Sequence, residues 1–188
     1  MISALLLAAG ASTRFGSNKL TERLADGTPM VVRSAQNLLA AGCRVVAVTR
    51  PRDQAAGDLL AAVPGVVVSA CPTAELGMGC SLAWGVAQTA GAAGWLIALG
   101  DMPFIRPTSI RAVLLAVERG ASIAAPVFKA RRGHPVVFAR CWRERLLGLD
   151  GETGGRLLLQ RYADAVTLVS CDDSGVLRDV DRPRDLSF

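Results

Sequence analysis

The sequence predicts a single α/β domain over residues 1–188, three layers deep, with helices covering both faces of a mostly parallel, doubly wound sheet. Three observations point there. Short apolar runs alternate along the chain with segments of helical periodicity, the pattern of repeated strand–helix units. The first such run, Ile2 to Ala9, reads as a buried strand and stops abruptly at Gly10 and small polar residues. Finally, 188 residues of which 51% are hydrophobic are ample for one buried core without a second domain.

The loop after the first strand organises the rest. Gly10 and Gly16 permit close backbone approach, Ser12 and Thr13 add hydroxyls, and Arg14 and Lys19 add positive charge, which together make a cradle for phosphates. It is not a P-loop, because five residues separate the glycines and Ser17-Asn18 separate Gly16 from Lys19. It is not the dinucleotide fingerprint either, since Gly10 is followed by Ala11-Ser12. Thr28-Pro29 reads as a cap with proline in the first helical turn, and Val31, Val32, Ala35, Leu38 and Leu39 recur at helical spacing until Gly42. A strand over Arg44–Thr49, a helix over Asp53–Ala62 and a short buried strand at Val66–Val68 follow.

Glu75 to Gly85 is a second glycine-rich loop, with Ser81 placed to cap a helix running to about Gln88. The next apolar strand, from Trp95, ends at Gly100-Asp101, which sets a carboxylate at the carboxyl end of a central strand, the edge where the first loop also opens. Such an aspartate could cap the helix beginning near Pro107, but beside a phosphate cradle it could also hold Mg²⁺ together with phosphate oxygens, and the metal reading is favoured. Further elements are a helix over Pro107–Arg119, strands over Ser122–Phe128 and Val136–Phe138 interrupted by Arg131-Arg132-Gly133-His134-Pro135, a glycine-rich loop at Leu149–Arg156, a helix to Tyr162 and a strand over Val166–Ser170. In the tail, Asp179-Val180-Asp181 on an extended segment puts two carboxylates on one side.

Composition excludes several classes. The five cysteines are scattered with no Cys-x-x-Cys pair and there is a single histidine, which disfavours a disulfide framework or a zinc site. No basic residue precedes the first apolar run, so it does not resemble a signal peptide, and no run is long enough to span a bilayer. A cytoplasmic location with reduced thiols is expected. The net charge is +5, and between Met102 and Leu149 nine basic residues face only Glu118 and Glu144. Sparse aromatics argue against nucleic acid as the partner and for a small phosphorylated ligand, most of the arginines forming a solvated face.

The stretch Leu-Ala-Ala-Gly-x-Ser-x-Arg-x-Gly-x-x-Lys, Leu7 to Lys19, resembles the signature of the MobA-like nucleotidyltransferases, the family of the molybdenum-cofactor enzymes. The resemblance spans essentially the whole chain. It implies a Rossmann-like fold of the nucleotide-diphospho-sugar transferase type, with an NTP held by Leu7, Ala8, Ala9, Gly10, Ala11, Ser12, Arg14 and Lys19, and its base by Gly77, Met78 and Ser81 of the second loop. Leu99-Gly100-Asp101-Met102-Pro103 is similar to the family's metal motif, implying Mg²⁺ on Asp101 with Asp179 or Asp181, and catalytic roles for Arg14, Lys19 and Asp101. Arg131-Arg132-Gly133-His134-Pro135 resembles the Gly-His-Pro segment of the molybdopterin cytidylyltransferases, which implies acceptor contacts from Arg132, Gly133, His134 and Pro135. Arg156 joins them through a stretch similar to Gly-Asp-x-Gly-x-Arg, from which this chain departs at Leu149 and at Gly151-Glu152-Thr153.

The activity so implied is transfer of CMP from CTP to the terminal phosphate of molybdopterin or molybdenum cofactor, with release of pyrophosphate. Ala9, in place of a second glycine, resembles the cytidylyl branch, with GTP as the alternative nucleotide. Molybdenum hydroxylases similar to xanthine dehydrogenase are the implied recipients, and neither nucleic acid nor membrane is a partner. Three other readings stay open: an NTP transferase acting on a sugar phosphate or another phosphorylated small molecule, a glycosyltransferase, disfavoured because its Asp-x-Asp would be expected in mid-chain, and an insertion chaperone that binds the molybdenum cofactor without chemistry.

Overall fold

Ile2–Leu7 forms β1, apolar along its length because both faces of the strand are covered. Ala4, Leu6 and Ala8 enter one core cluster and Leu5, Leu7 and Ala9 the other. The structure, a computed structural model, describes residues 1–10, 19–152, 154–182 and 185. Strands β2 (Arg44–Thr49) and β4 (Gly94–Leu99) flank β1 in parallel, and β3 (Val66–Ala70) extends the sheet beyond β2. On the other side β7 (Val136–Ala139) runs antiparallel to β4 and to β5 (Ile123–Phe128), and β8 (Val166–Ser170) lies parallel to β5.

The two-residue β6 (Arg131–Arg132) continues the line of β7 along the same side of β5. Between them the hairpin is irregular. Val127 pairs with Arg132 but Ala124 with Val137, so the returning strand uses five residues where β5 uses three. The surplus is taken up at Gly133-His134-Pro135, where the His134–Pro135 peptide is cis and the ladder opens as at a bulge.

Helices complete a three-layer α/β/α sandwich. On one face lie α1 (Met30–Ala40), α2 (Gln54–Ala61) and α4 (Pro107–Glu118), which bury Val31, Ala35, Leu38, Leu60, Ile110 and Val113. On the other lie α3 (Met78–Gln88), α5 (Arg143–Leu147) and α6 (Arg156–Arg161), through Leu82, Val86, Leu146 and Leu159.

Three local expectations are corrected. Pro29, extended and bridged to Arg23, occupies the N-cap of α1, so Thr28 is one residue too early to cap it and instead accepts a hydrogen bond from Arg33. The Val66–Val68 strand runs on to Ala70 and is not buried; as the sheet's edge it leaves Val67 53% exposed. Ser81 lies inside α3, whose N-cap is Gly77, and it is buried rather than capping. By contrast Asp53 does cap α2, accepting from the Ala56 amide at 3.2 Å.

Candidate functional site

The sheet order sets β2 on one side of β1 and β4 on the other, which opens a crevice beyond the carboxyl ends of β1 and β4. Leu7 and Leu99 are register partners there, and the Gly100 amide donates to the Leu7 carbonyl at 3.0 Å. The backbone around Asp101 is then pinned from three directions. Ser34 of α1 donates to the Gly100 carbonyl (3.0 Å), Asn37 to the Pro103 carbonyl (2.8 Å), and the Val180 amide to the Asp101 carbonyl (2.9 Å). Asp101 does not cap α4. That work falls to buried Asp173, which accepts from the Arg106 amide (2.8 Å) and the Ser109 hydroxyl (2.7 Å).

The Asp101 side chain faces Lys19, whose Nζ donates to Asp101 Oδ2 at 2.8 Å and to Asp181 Oδ1 at 3.0 Å. Burial is the largest single influence on Lys19 and pulls its pKa down. The hydrogen bonds and charges of the two aspartates outweigh it, and the ammonium is held above the ordinary lysine range. Asp101 Oδ1 is buried and has no hydrogen-bond partner among the described residues. Asp179 is pushed above the usual carboxylate range by burial and, beyond that, by the negative charges of Asp181 and Asp101.

Two cavities adjoin at this point. The smaller, about 180 Å³, is lined by Leu7, Ala9, Gly10, Lys19, Gly77, Met78, Ser81 and Asp101 among the residues singled out in the sequence, and also by Arg50, Glu75 and Glu152. The larger, about 470 Å³, is lined by Arg132, Gly133, His134 and Arg156 with an apolar wall of Leu82, Ile97, Val136, Phe138 and Leu159. Leu7, Met78, Leu99 and Glu152 belong to both. Ala8 and Pro135 are buried and line neither. Ala11, Ser12 and Arg14 lie outside the described residues.

Sequence reasoning passed over Arg50, Glu75 and Glu152. A usable signal existed for Arg50, which follows β2 directly and so lies at the same strand-end edge; it donates to the Ala9 carbonyl. Glycines hold the loops between the cavities together. A Cβ at Gly77 would come within 2.2 Å of the Gly151 carbonyl oxygen, and one at Gly79 within 2.2 Å of that of Asp150. The Gly79 amide donates to the Gly151 carbonyl at 2.8 Å. Gly133 meets the Val176 carbonyl oxygen in the same way, and the His134 amide donates to that oxygen at 2.8 Å. The His134 ring is deeply placed, its Nδ1 buried without a hydrogen-bond partner among the described residues. Burial pulls its pKa below the ordinary value, with Arg132 adding to the fall, while Asp101 and a backbone hydrogen bond to Ile97 oppose it.

Several of the mid-chain arginines are engaged in fastening the fold. Arg106 pairs with Asp172 and Asp173, Arg111 donates to the Ala40 carbonyl at the end of α1, Arg140 to the Ala92 carbonyl, and Arg145 lies over the rings of Trp142 and Tyr162. The site's own charge is therefore set by few groups.

Residues 4–166 match the family model of the MobA-like NTP transferase domain. The chain belongs to that family. Among curated proteins it is similar to the purine catabolism protein PucB of Bacillus subtilis (31% identity, covering 96% of this chain and 92% of the relative). It is also similar to the nicotine blue oxidoreductase of Paenarthrobacter nicotinovorans (27% identity over the same shares). Among solved structures, Rv0371c of Mycobacterium tuberculosis superposes with a TM-score of 0.83 at 26% identity, covering 98% of this chain and 94% of that one. A nucleotidyl transferase from Methanothermobacter thermautotroptrophicus gives 0.81 at 26% identity with the same coverage. Rv0371c has also been solved in complex with manganese, at 25% identity to this chain and a TM-score of 0.79.

The side chains present suit such an ion. Asp101 and Asp181 bring two carboxylates against Lys19, Asp179 feels the negative charge of both, and Asp101 keeps a buried oxygen without a partner among the described residues. Among the described residues no three His, Cys, Asp or Glu side chains are gathered closely enough to bind a metal unaided. That accords with ions that take part of their shell from substrate phosphates and water. No helix among the described residues is long and apolar enough to cross a membrane.

Proposed function

We propose that this MobA-like NTP transferase is a cytidylyltransferase that moves CMP from CTP to the terminal phosphate of molybdopterin or molybdenum cofactor. The observation that carries the reading is the Lys19–Asp101 contact in the smaller of two adjoining cavities, which we assign to the nucleotide and the larger to the acceptor. In this reading Gly10, Gly77, Met78 and Ser81 surround the nucleotide, with Lys19 and Arg14 against the triphosphate. Arg132 and Arg156 attract the acceptor's phosphate, and the apolar wall from Leu82 to Leu159 takes the ring system. Gly133 and His134 complete its lining.

An oxygen of the acceptor phosphate attacks the α-phosphorus in line, a new phosphoanhydride bond forms, and the bond to the bridging oxygen of the β-phosphate breaks, so that pyrophosphate leaves with the electron pair. The attacking group is already an anion, and no general base is needed. Lys19 offsets charge on the departing phosphates and Asp101 fixes the reacting end of the nucleotide, so catalysis is positioning and charge stabilisation. Mg²⁺, held by Asp101 with Asp179 or Asp181, would neutralise charge that develops on the phosphates. Molybdenum hydroxylases would receive the product, in the cytoplasm.

The decisive assay is pyrophosphate release by purified protein with CTP or GTP, Mg²⁺ and molybdenum cofactor, beside the Asp101→Asn variant. Release with CTP, lowered about 10²-fold or more by the substitution, is expected. Release with GTP alone would reassign the base, and release only with a sugar phosphate would reassign the acceptor. Tight cofactor binding without release under any nucleotide would support the insertion chaperone instead. Oxidoreductase turnover of the kind named for the Paenarthrobacter relative is disfavoured, because a lysine held between two carboxylates is suited to anionic phosphates.

A further inference from the structure

Two carboxylates from distant parts of the chain converge on one point, and a cation of the chain's own already occupies it. Asp101 closes β4 and Asp181 lies in the tail, yet Lys19 Nζ sits 2.8 Å from an oxygen of the first and 3.0 Å from an oxygen of the second. The side chains of Lys19 and Asp101 are only 15% and 21% exposed, so that arm of the contact is enclosed, while Asp181 approaches from the surface at 54% exposed. A small divalent cation requires oxygen ligands at about 2.0–2.1 Å. No such ion fits between these carboxylates while the ammonium stands at hydrogen-bond distance from both, and a charge of like sign at that range opposes its arrival.

We infer that Lys19 is a latch on the cation site. In the nucleotide-free protein it holds Asp101 and Asp181 and keeps divalent metal out. A triphosphate, richer in anionic oxygens than two aspartates, draws Nζ away and leaves the carboxylates to the metal. Metal therefore enters with the nucleotide and not ahead of it. Lys19 acts with opposite signs in the two states, a competitor of the ion before nucleotide arrives and a partner of the phosphates afterwards. The inference rests on the proposed role of Asp101 and Asp181 as metal ligands. It differs from a purely structural ion pair in one measurable respect: removing the lysine must strengthen metal binding to the free protein.

The test is Mn²⁺ binding without nucleotide, read from the electron paramagnetic resonance signal of the free ion. The proteins are the wild type, Lys19→Met, Lys19→Gln and the double variant Lys19→Met with Asp101→Asn, each checked for folding by circular dichroism. The latch predicts that both single variants bind Mn²⁺ at least about tenfold more tightly than the wild type, and that the double variant loses the gain. Equal or weaker binding by Lys19→Met and Lys19→Gln, with Asp101→Asn still removing what is bound, overturns the latch and leaves the metal assignment standing. Binding that ignores Asp101→Asn overturns the metal assignment and the latch with it, and binding that no protein shows overturns the latch alone.

Discussion

His134 stands at the floor of the larger cavity with its Nδ1 shut away from solvent, and its ionisation is tied to folding. Burial lowers its pKa in the folded state below the ordinary 6.5, so the unfolded chain takes up a proton before the native protein does. The stability it contributes is complete above the unfolded value and is lost as pH falls from there through the folded value. The urea midpoint should therefore decline as pH is lowered from 7.5 towards 5, and the His134→Gln variant should decline less steeply over that window. Equal slopes for the two proteins would remove His134 as the cause. The same residue shows the limits of reading a chain in isolation. Its neighbours Arg132 and Gly133 were legible from the motif, but the carbonyl that accepts from its amide belongs to Val176, a contact more than forty residues away that no local pattern announces. Asp101 was legible because it sits just beyond a recognisable apolar strand, and parallel strands open on one edge, whereas Lys19 was legible as the last position of the glycine-loop signature that follows β1.

At the level of elements, strands and most helices follow from periodicity, whereas helix starts do not. Thr28 and Ser81 carry hydroxyls where a cap is wanted, but Pro29 and Gly77 take the cap positions because of how the preceding loops approach. The cap of α4 comes from Asp173, far along the chain, and is invisible to any local rule. Glycines divide in the same manner. Gly57 lies within α2 with open space around its missing side chain, while Gly79 lies within α3 with the Asp150 carbonyl oxygen 2.2 Å from where a Cβ would be. Gly57→Ala should stabilise the protein by about 0.5–1 kcal/mol, through lower backbone entropy of the unfolded chain. Gly79→Ala should do the reverse, since the third loop must retreat and its bond to the Gly79 amide must lengthen. Thermal melts of the two variants against the parent check both signs, and Gly79→Ala should in addition raise the KM for nucleotide, because Met78 and Glu152 border the smaller cavity.

For the whole molecule, the two halves of the sheet border the two cavities differently. The half ordered β3-β2-β1-β4 is parallel, and its strand ends present Gly10, Arg50, Lys19 and Asp101 to the smaller cavity. The other half contains the antiparallel insertion, and its irregular hairpin presents Arg132 and His134 to the larger one. If the parallel half serves the nucleotide and the insertion the acceptor, substitutions should sort by half. Arg132→Ala and Arg156→Ala each remove a cation from the acceptor side and should raise the acceptor KM about tenfold, the scale of one charge-assisted hydrogen bond, with the nucleotide KM nearly unchanged. Arg50→Ala, on the opposite side of β1, should raise the nucleotide KM and spare the acceptor. Steady-state kinetics with each substrate varied in turn reads the division directly. Because Leu7, Met78, Leu99 and Glu152 border both cavities, a change at Glu152 should move both constants together, and only a residue at that seam should do so. A uniform rise in both constants for Arg132→Ala would mean that the two cavities act as one undivided site and that the hairpin does not define an acceptor half.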